Sequence, residues 1–397
     1  MKIEDPNKPR TTKSFALFEL GFRPFFLMAG LSALLLMLLW LMVLDGGASV
    51  ANYYPGIYWH SHEMLFGYVA AVAAGFLLTA VRNWTGIQTL QNTPLALLAI
   101  LWLLGRLAPL TIFSLPDGVI ALIDLSFLPA VVLGITIPLR AKSQLSNYIF
   151  PILLLVMAIA NGLTHLEFMG FSEQTAGIGI SLMLFLLVAL IMIMGGRVIP
   201  FFSERGVSGL SVRSWPMIEK LAPYSIGAVA IVASILPGSM LLTPVALFAA
   251  GVHGVRVYGW YGKKMWSVPM VWILQLGYVW LVIGLFLLAL TPFVIFPREF
   301  AVHALTAGGI GLVTLGMMAR VALGHSGREI ETSRLVFWSF VLASLSPLFR
   351  VFVPLLMPDW YFSSLIVSGG LWCAAFLLFV FVYLPILIRP RVDGRPG

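Results

Sequence analysis

Imidazole and carboxylate crowd into one short stretch, Tyr58-Trp59-His60-Ser61-His62-Glu63-Met64-Leu65-Phe66-Gly67-Tyr68, at the edge of a long apolar run. Three more histidines lie beside or within apolar runs, His165, His253 and His303. Ionisable groups are costly in hydrocarbon, so several imidazoles at one depth point to a bound metal or haem. On a helix His60 shares a face with Glu63 and Met64, while His62 is turned about 200° away. The two rings serve one metal only if the first turn is irregular; otherwise they serve two sites or two roles. Histidine, glutamate and methionine together suit haem or copper better than magnesium or calcium, because imidazole and thioether are softer ligands than oxygen. The plainer alternative is an interfacial belt of tryptophan and histidine.

The other histidines sit in distinct settings. His165 follows Asn161 by one helical turn, an arrangement in which the amide orients the ring by accepting its second N–H. His303 begins a face that continues through Ala307, Ile310 and Thr314, where small residues let a neighbouring helix or a flat macrocycle approach. His253 lies deeper, beside Gly254 and Arg256, as a candidate ligand of a second centre or a proton relay. His325, in Gly324-His325-Ser326-Gly327-Arg328, reads as a turn or headgroup residue. Within the apolar runs Arg106 and Arg350 each need an anionic partner. Arg106 has one in Asp124 on the next run, and either arginine alternatively clamps haem propionates through its planar guanidinium. Glu63 is the candidate protonatable group.

These residues must be positioned by membrane-spanning helices. Of 397 residues, 60% are hydrophobic and 10% charged, and the mean hydropathy of +0.98 excludes an ordinary soluble domain. The fold class is therefore all-α, a single polytopic transmembrane bundle over residues 1–397 with a polar segment at 1–20 and a basic tail at 389–397. Apolar runs predict about twelve spans, near 23–43, 61–81, 93–113, 118–139, 147–168, 175–199, 216–236, 240–261, 267–291, 298–320, 334–357 and 362–388, each long enough to cross about 30 Å of hydrocarbon. With both termini in the cytoplasm nearly every lysine and arginine outside the spans falls on one side, from Lys2, Lys8, Arg10 and Lys13 at the start to Arg389, Arg391 and Arg395 at the end, and Arg298 alone opposes them. That distribution obeys the positive-inside rule, and the formal charge of +8 reads as a topology signal and not as nucleic-acid binding. Arginines at the ends of three spans, Arg82, Arg197 and Arg320, form a weak internal echo best read as cations completing helix C-termini. The first span has no small-residue cleavage site after it, so it is expected to remain as an anchor. Cys373 is the only cysteine, which leaves no disulfide and no covalent haem attachment.

Four segments carry a resemblance: Gly21-Phe22-Arg23-Pro24-Phe25-Phe26; His60 through Gly67; Gly195-Gly196-Arg197-Val198-Ile199-Pro200-Phe201-Phe202; and His303 through Arg328 with its Met317-Met318-Ala319-Arg320-Val321 core. Together they resemble the NnrS family. The resemblance implies a bacterial inner-membrane protein that contains haem and copper and acts in nitric oxide metabolism or resistance to nitrosative stress. It supplies cofactors and a setting, not a reaction. On it rests the expectation of haem b, with copper as a further metal, nitric oxide as the small-molecule partner and an unidentified electron donor. Ligands are expected from His60, His62, His165, His303 and Met64, with His253 at a second centre that could hold copper and Arg106 and Arg350 beside the cofactor. Two rivals stand: a proton-coupled transporter, and an electron-transfer cytochrome with two axial histidines.

Overall fold

A computed structural model describes residues 15–47, 53–293 and 296–395, so Lys2, Lys8, Arg10 and Lys13 lie outside the described residues. Among the described residues are twelve long helical segments and a short 3₁₀ turn at Lys263–Ser267: α1 Phe22–Leu44, α2 Gly56–Thr85, α3 Asn92–Leu107, α4 Asp117–Ala141, α5 Leu145–Phe168, α6 Thr175–Gly206, α7 Pro216–Ile235, α8 Leu242–Trp260, α9 Pro269–Leu290, α10 Arg298–His325, α11 Arg334–Leu356 and α12 Pro358–Ile388. Ten are long and apolar enough to cross a bilayer; α3 and α8 are not among them. In hydrocarbon only a structure that satisfies its own backbone can span, which is why so apolar a chain folds wholly into helices.

The two exceptions have local causes. The sequence predicts a third span reaching residue 113, but α3 stops at Leu107 after 16 residues. Pro109 comes next but one, has no N–H to offer and disfavours helical geometry in Ala108. In α8 the apolar run is diluted by Thr243, His253, Arg256 and three glycines. The two ends of the described chain meet at one end of the bundle, where the Ala16 amide donates to the Ile388 carbonyl at 2.8 Å. Arg23, fully buried there, donates to the carbonyls of Leu387 and Arg389 at 3.0 and 2.7 Å. The side chains at the start of α2, the end of α5 and the start of α10 lie at the opposite end.

Three of the long helices are interrupted by π-helical turns, Glu63–Val69 in α2, Ala304–Ile310 in α10 and Leu348–Phe352 in α11. Each carries one extra residue per turn and so re-aims the side chains before it relative to those after it. His62 immediately precedes the first, His303 immediately precedes the second, and Arg350 lies inside the third. The helix entries that bear the histidines are thus the irregular ones.

Candidate metal and cofactor centres

At the end opposite the termini, His62, Asp124 and His165 place one ligand atom each within 4.8 Å of one another, and all three are buried. They come from α2, α4 and α5. Asp124 Oδ2 lies 3.0 Å from His165 Nε2 and 3.3 Å from His62 Nε2. Asn161 Nδ2 donates to the same oxygen at 2.7 Å, which turns Asn161 Oδ1 to His62 Nε2 at 3.0 Å. The amide thus orients His62 across the helix interface, and not His165 on its own helix. The His165 ring is held instead by Tyr53, whose hydroxyl lies 2.8 Å from Nδ1. Tyr54 and Phe66 sandwich His62, with ring centroids 4.5 and 4.7 Å away. Burial in the protein raises the pKa of both tyrosines, so their hydroxyls stay protonated.

Arg106 closes this group from α3. It donates to Glu63 Oε1 at 2.9 Å and to Asp124 Oδ1, the pairing expected from the sequence with a second carboxylate added. Gly67 admits it: a Cβ there would stand 3.2 Å from the guanidinium and 3.3 Å from Glu63 Oε2. Glu63 Oε1 also lies 3.4 Å from His62 Nδ1, while Glu63 Oε2 is buried with no hydrogen-bond partner among the described residues. Two carboxylates face one arginine, which leaves one negative charge in excess. Both nitrogens of His62 meet oxygen atoms: Nδ1 faces Glu63, and Nε2 faces Asn161 Oδ1, Asp124 Oδ2 and the Tyr54 hydroxyl, which lies 3.4 Å away and can donate to it. A metal ion or a second proton at this point would balance the charge.

His60 and His303 form a second group. His60 turns away from His62, as the helical period requires, and stacks on Trp40 with centroids 4.5 Å apart and planes 15° from parallel. Its Nδ1 is buried with no hydrogen-bond partner among the described residues. His303 Nδ1 lies 2.7 Å from the Glu299 carbonyl, so that nitrogen carries the proton and Nε2 presents its lone pair. A histidine held this way is oriented as metal ligands usually are. Electrostatic interactions connect His60, His303 and Arg350, and the Arg350 guanidinium lies 5.9 Å from the centre of the Tyr361 ring. Arg106 is locked between two carboxylates, whereas Arg350 feels Glu299 only through space. Met64 packs against the apolar core.

The family model for NnrS protein matches residues 16–391, nearly the whole chain. The chain belongs to the NnrS family. No curated protein matches it. The segments by which this NnrS chain resembles its family divide between the two ends of the bundle: His60–Gly67 and His303 build the two histidine centres, and Gly21–Phe26 and Gly324–Arg328 meet at the end that carries the termini. There Arg391 donates to the His325 carbonyl at 3.0 Å and the Val392 amide to the Ser326 carbonyl at 3.2 Å, pinning the tail on the Gly324–Arg328 turn. His325 therefore sits at the turn that ends α10. His253, in α8, is fully buried and stands apart from both centres, with Tyr278 on its Nδ1 at 2.6 Å.

Asp124, Tyr53 and Tyr54 are the site members that sequence reasoning placed elsewhere or passed over. Asp124 was legible only as the partner of Arg106. The adjacent tyrosines at the entry to α2, shortly before His60, were the available signal.

Proposed function

We propose that this protein is a haem- and copper-binding member of its family with two separate centres, acting on nitric oxide in the bacterial inner membrane. The observation that carries the proposal is the division of the four histidines into two pairs of different chemistry. The donors of the first pair, two imidazoles and a carboxylate with one uncompensated negative charge, fit a copper ion. Among the described residues no carboxylate joins the rings of the second pair and an arginine lies beside them, a donor set that fits haem b: His60 or His303 would hold its iron and Arg350 would neutralise its carboxylates. Haem, when bound, would supply an iron able to bind nitric oxide, and copper would supply a second redox centre.

The protein's own residues do the rest. Asn161 and Tyr53 hold the rings of His62 and His165, so that a cation meets them without reorganisation. Tyr54 and Phe66 exclude water from His62. Glu63, with one oxygen held by Arg106 and the other unpartnered, is placed to hold or release a proton at Oε2. Ordinary side chains this deep in a membrane bundle are apolar, and the cost of burying these groups supports a functional reason for them.

A second reading has a specific observation behind it. His60 and His303 both lie near the entries of their helices, Gly56–Thr85 and Arg298–His325, and two histidines on one iron would make a closed electron-transfer cytochrome. Optical spectra of the anaerobically reduced protein, with and without nitric oxide, together with metal analysis, separate the readings. We expect a Soret band that shifts with nitric oxide and is lost in His60→Ala or His303→Ala, and a metal that is lost in His62→Ala, His165→Ala and Asp124→Asn while the Soret band stays. A Soret band indifferent to nitric oxide selects the cytochrome. A colourless, metal-free protein from haem-replete cells overturns both and leaves a proton-coupled transporter.

A further inference from the structure

An apolar cavity of about 60 Å³ lies inside the bundle among α1, α2, α6 and α10, lined by Phe26, Ala73, Leu190, Met194, Thr314 and Met317 among others. None of its lining residues belongs to either histidine centre. Val69, the last residue of the π-helical turn in α2, borders it, and Thr314 follows the π-helical turn in α10 by four residues. At 1.5 Å per residue, Val69 lies about 10 Å along α2 from His62. The cavity is thus carried by the two helices that bear His60, His62 and His303, deeper in the bundle than the centres themselves.

Loose packing does not account for the space. The α2 stretch Ala70-Ala71-Val72-Ala73-Ala74-Gly75 is built almost wholly of small residues, which let neighbouring helices close in. At Gly75 one does: a Cβ there would stand 2.9 Å from Phe25 Cβ of α1. Two residues earlier, Ala73 borders open space instead. A void forfeits the contacts its lining atoms would have made, and a longer side chain at position 73 would occupy it.

The lining gives water nothing to hold. Thr314 is the only polar side chain among the described residues that line it, and its one hydrogen goes to the Ile310 carbonyl at 2.6 Å. The Tyr68 hydroxyl, 2.6 Å from Thr314 Oγ1, is then the donor of that pair. A buried water needs roughly two to four polar partners, and apolar cavities without them stay dry. A dry cavity of about 150 Å³ takes benzene or xenon, so about 60 Å³ limits the occupant to a molecule of a few atoms. The half-buried members of the lining are Phe76, Ile191 and Val198, which turns the mouth of the cavity to the hydrocarbon around the bundle.

We propose that this cavity docks one molecule of an apolar diatomic gas drawn from the bilayer. Such a gas prefers hydrocarbon to water, so a mouth on the lipid side meets it where it is most concentrated. The thioethers of Met194 and Met317 are polarizable and favour dispersion contact with it. That the gas is nitric oxide rests on the function proposed above; the selection for small size and lack of polarity rests on the lining alone.

Xenon is the probe, because it fills dry apolar cavities and its anomalous scattering locates it in a crystal of the full chain whether or not haem or metal is bound. Xenon is expected at one position bordered by Ala73, Leu190 and Thr314. Ala73→Leu should abolish that site, and Leu190→Ala, which enlarges it, should raise the xenon occupancy. A residue that merely packs the helices would not produce opposite signs in the two variants. Water or a lipid or detergent chain in the cavity, xenon bound only elsewhere, or xenon undisturbed by Ala73→Leu overturns the proposal. The two readings fail separately: xenon in the cavity beside a Soret band indifferent to nitric oxide keeps the gas site and sinks the proposed function, whereas an empty cavity beside a responsive band does the reverse.

Discussion

Arg106 satisfies Glu63 and Asp124 together, and both carboxylates are nearly inaccessible to solvent. Taking away one member of a buried ionic group strands the others, typically at about 3–5 kcal/mol. Arg106→Gln is expected to lower stability by roughly that amount, read from thermal unfolding in detergent, and the loss should be smaller when the protein is saturated with metal, because an ion on Asp124 then offsets part of the stranded negative charge. An equal loss in metal-loaded and metal-stripped protein would mean that no cation sits there. The pairing of Arg106 with Asp124 was legible in the sequence, since two opposite charges in successive short-looped helices have few other partners. That His60 and His62 face different neighbours was legible too, from the helical period alone. The partner of Asn161 was not: a shared helix face says which residues point together, but not which neighbouring helix that face meets, and here it meets His62 of α2. Tyr53 is separated from His165 by 112 positions, and no local pattern connects residues so distant.

The π-helical turns are the element-scale device, and they were invisible in the sequence because they are defined by backbone hydrogen bonds that many sequences can make. Their placement has a testable result. Deleting Leu65, inside Glu63–Val69, should restore ordinary α-helical pairing in α2 and rotate the preceding residues by about 100° relative to the rest of the helix. The helix remains and its content by circular dichroism should be unchanged, yet both His60 and His62 lose their partners, so haem and metal contents should fall together. Loss of neither would show that the turn is not what aligns the two centres. A second element, the turn at Gly324–Arg328, depends on one backbone conformation. Gly327 has φ +74°, and a Cβ there would stand 2.9 Å from the Asp393 carboxyl. Gly327→Ala is expected to cost about 1–2 kcal/mol and to free the C-terminal tail, seen as faster tail cleavage in limited proteolysis.

Across the whole molecule, charge is segregated by depth. The end opposite the termini buries Arg106 with two carboxylates, Glu63 and Asp124, whereas the end that carries the termini gathers Arg23, Arg82, Arg328, Arg389 and Arg391 within reach of one another's charge. The terminal end is closed by Arg391 and Asp393, which are bonded at 2.9 and 2.5 Å. Those hydrogen bonds hold the Asp393 carboxyl down at about 2, below the ordinary value of about 4. A carboxylate depressed in the folded state contributes its stability above the unfolded value and loses it as pH falls through the folded one. The turn that Arg391 and Asp393 make within the tail should therefore hold at neutral pH and loosen between about pH 4 and 2, and Asp393→Asn should already show the loosened turn at pH 7; tail proteolysis across that range reads both. The all-helical outline was legible because hydropathy sets it at this scale, and ten of the expected spans are long and apolar enough to cross a bilayer, while the shortfall of α3 turned on one proline.

Tyr53 and Tyr54 cover His165 and His62 from the segment that leads into α2, in contact with both rings. A bound ion would be enclosed behind two phenol rings, so its exchange would be governed by the rate at which those rings swing aside. Chelators should then strip it at a rate that saturates with chelator concentration, and Tyr54→Ala should raise that ceiling.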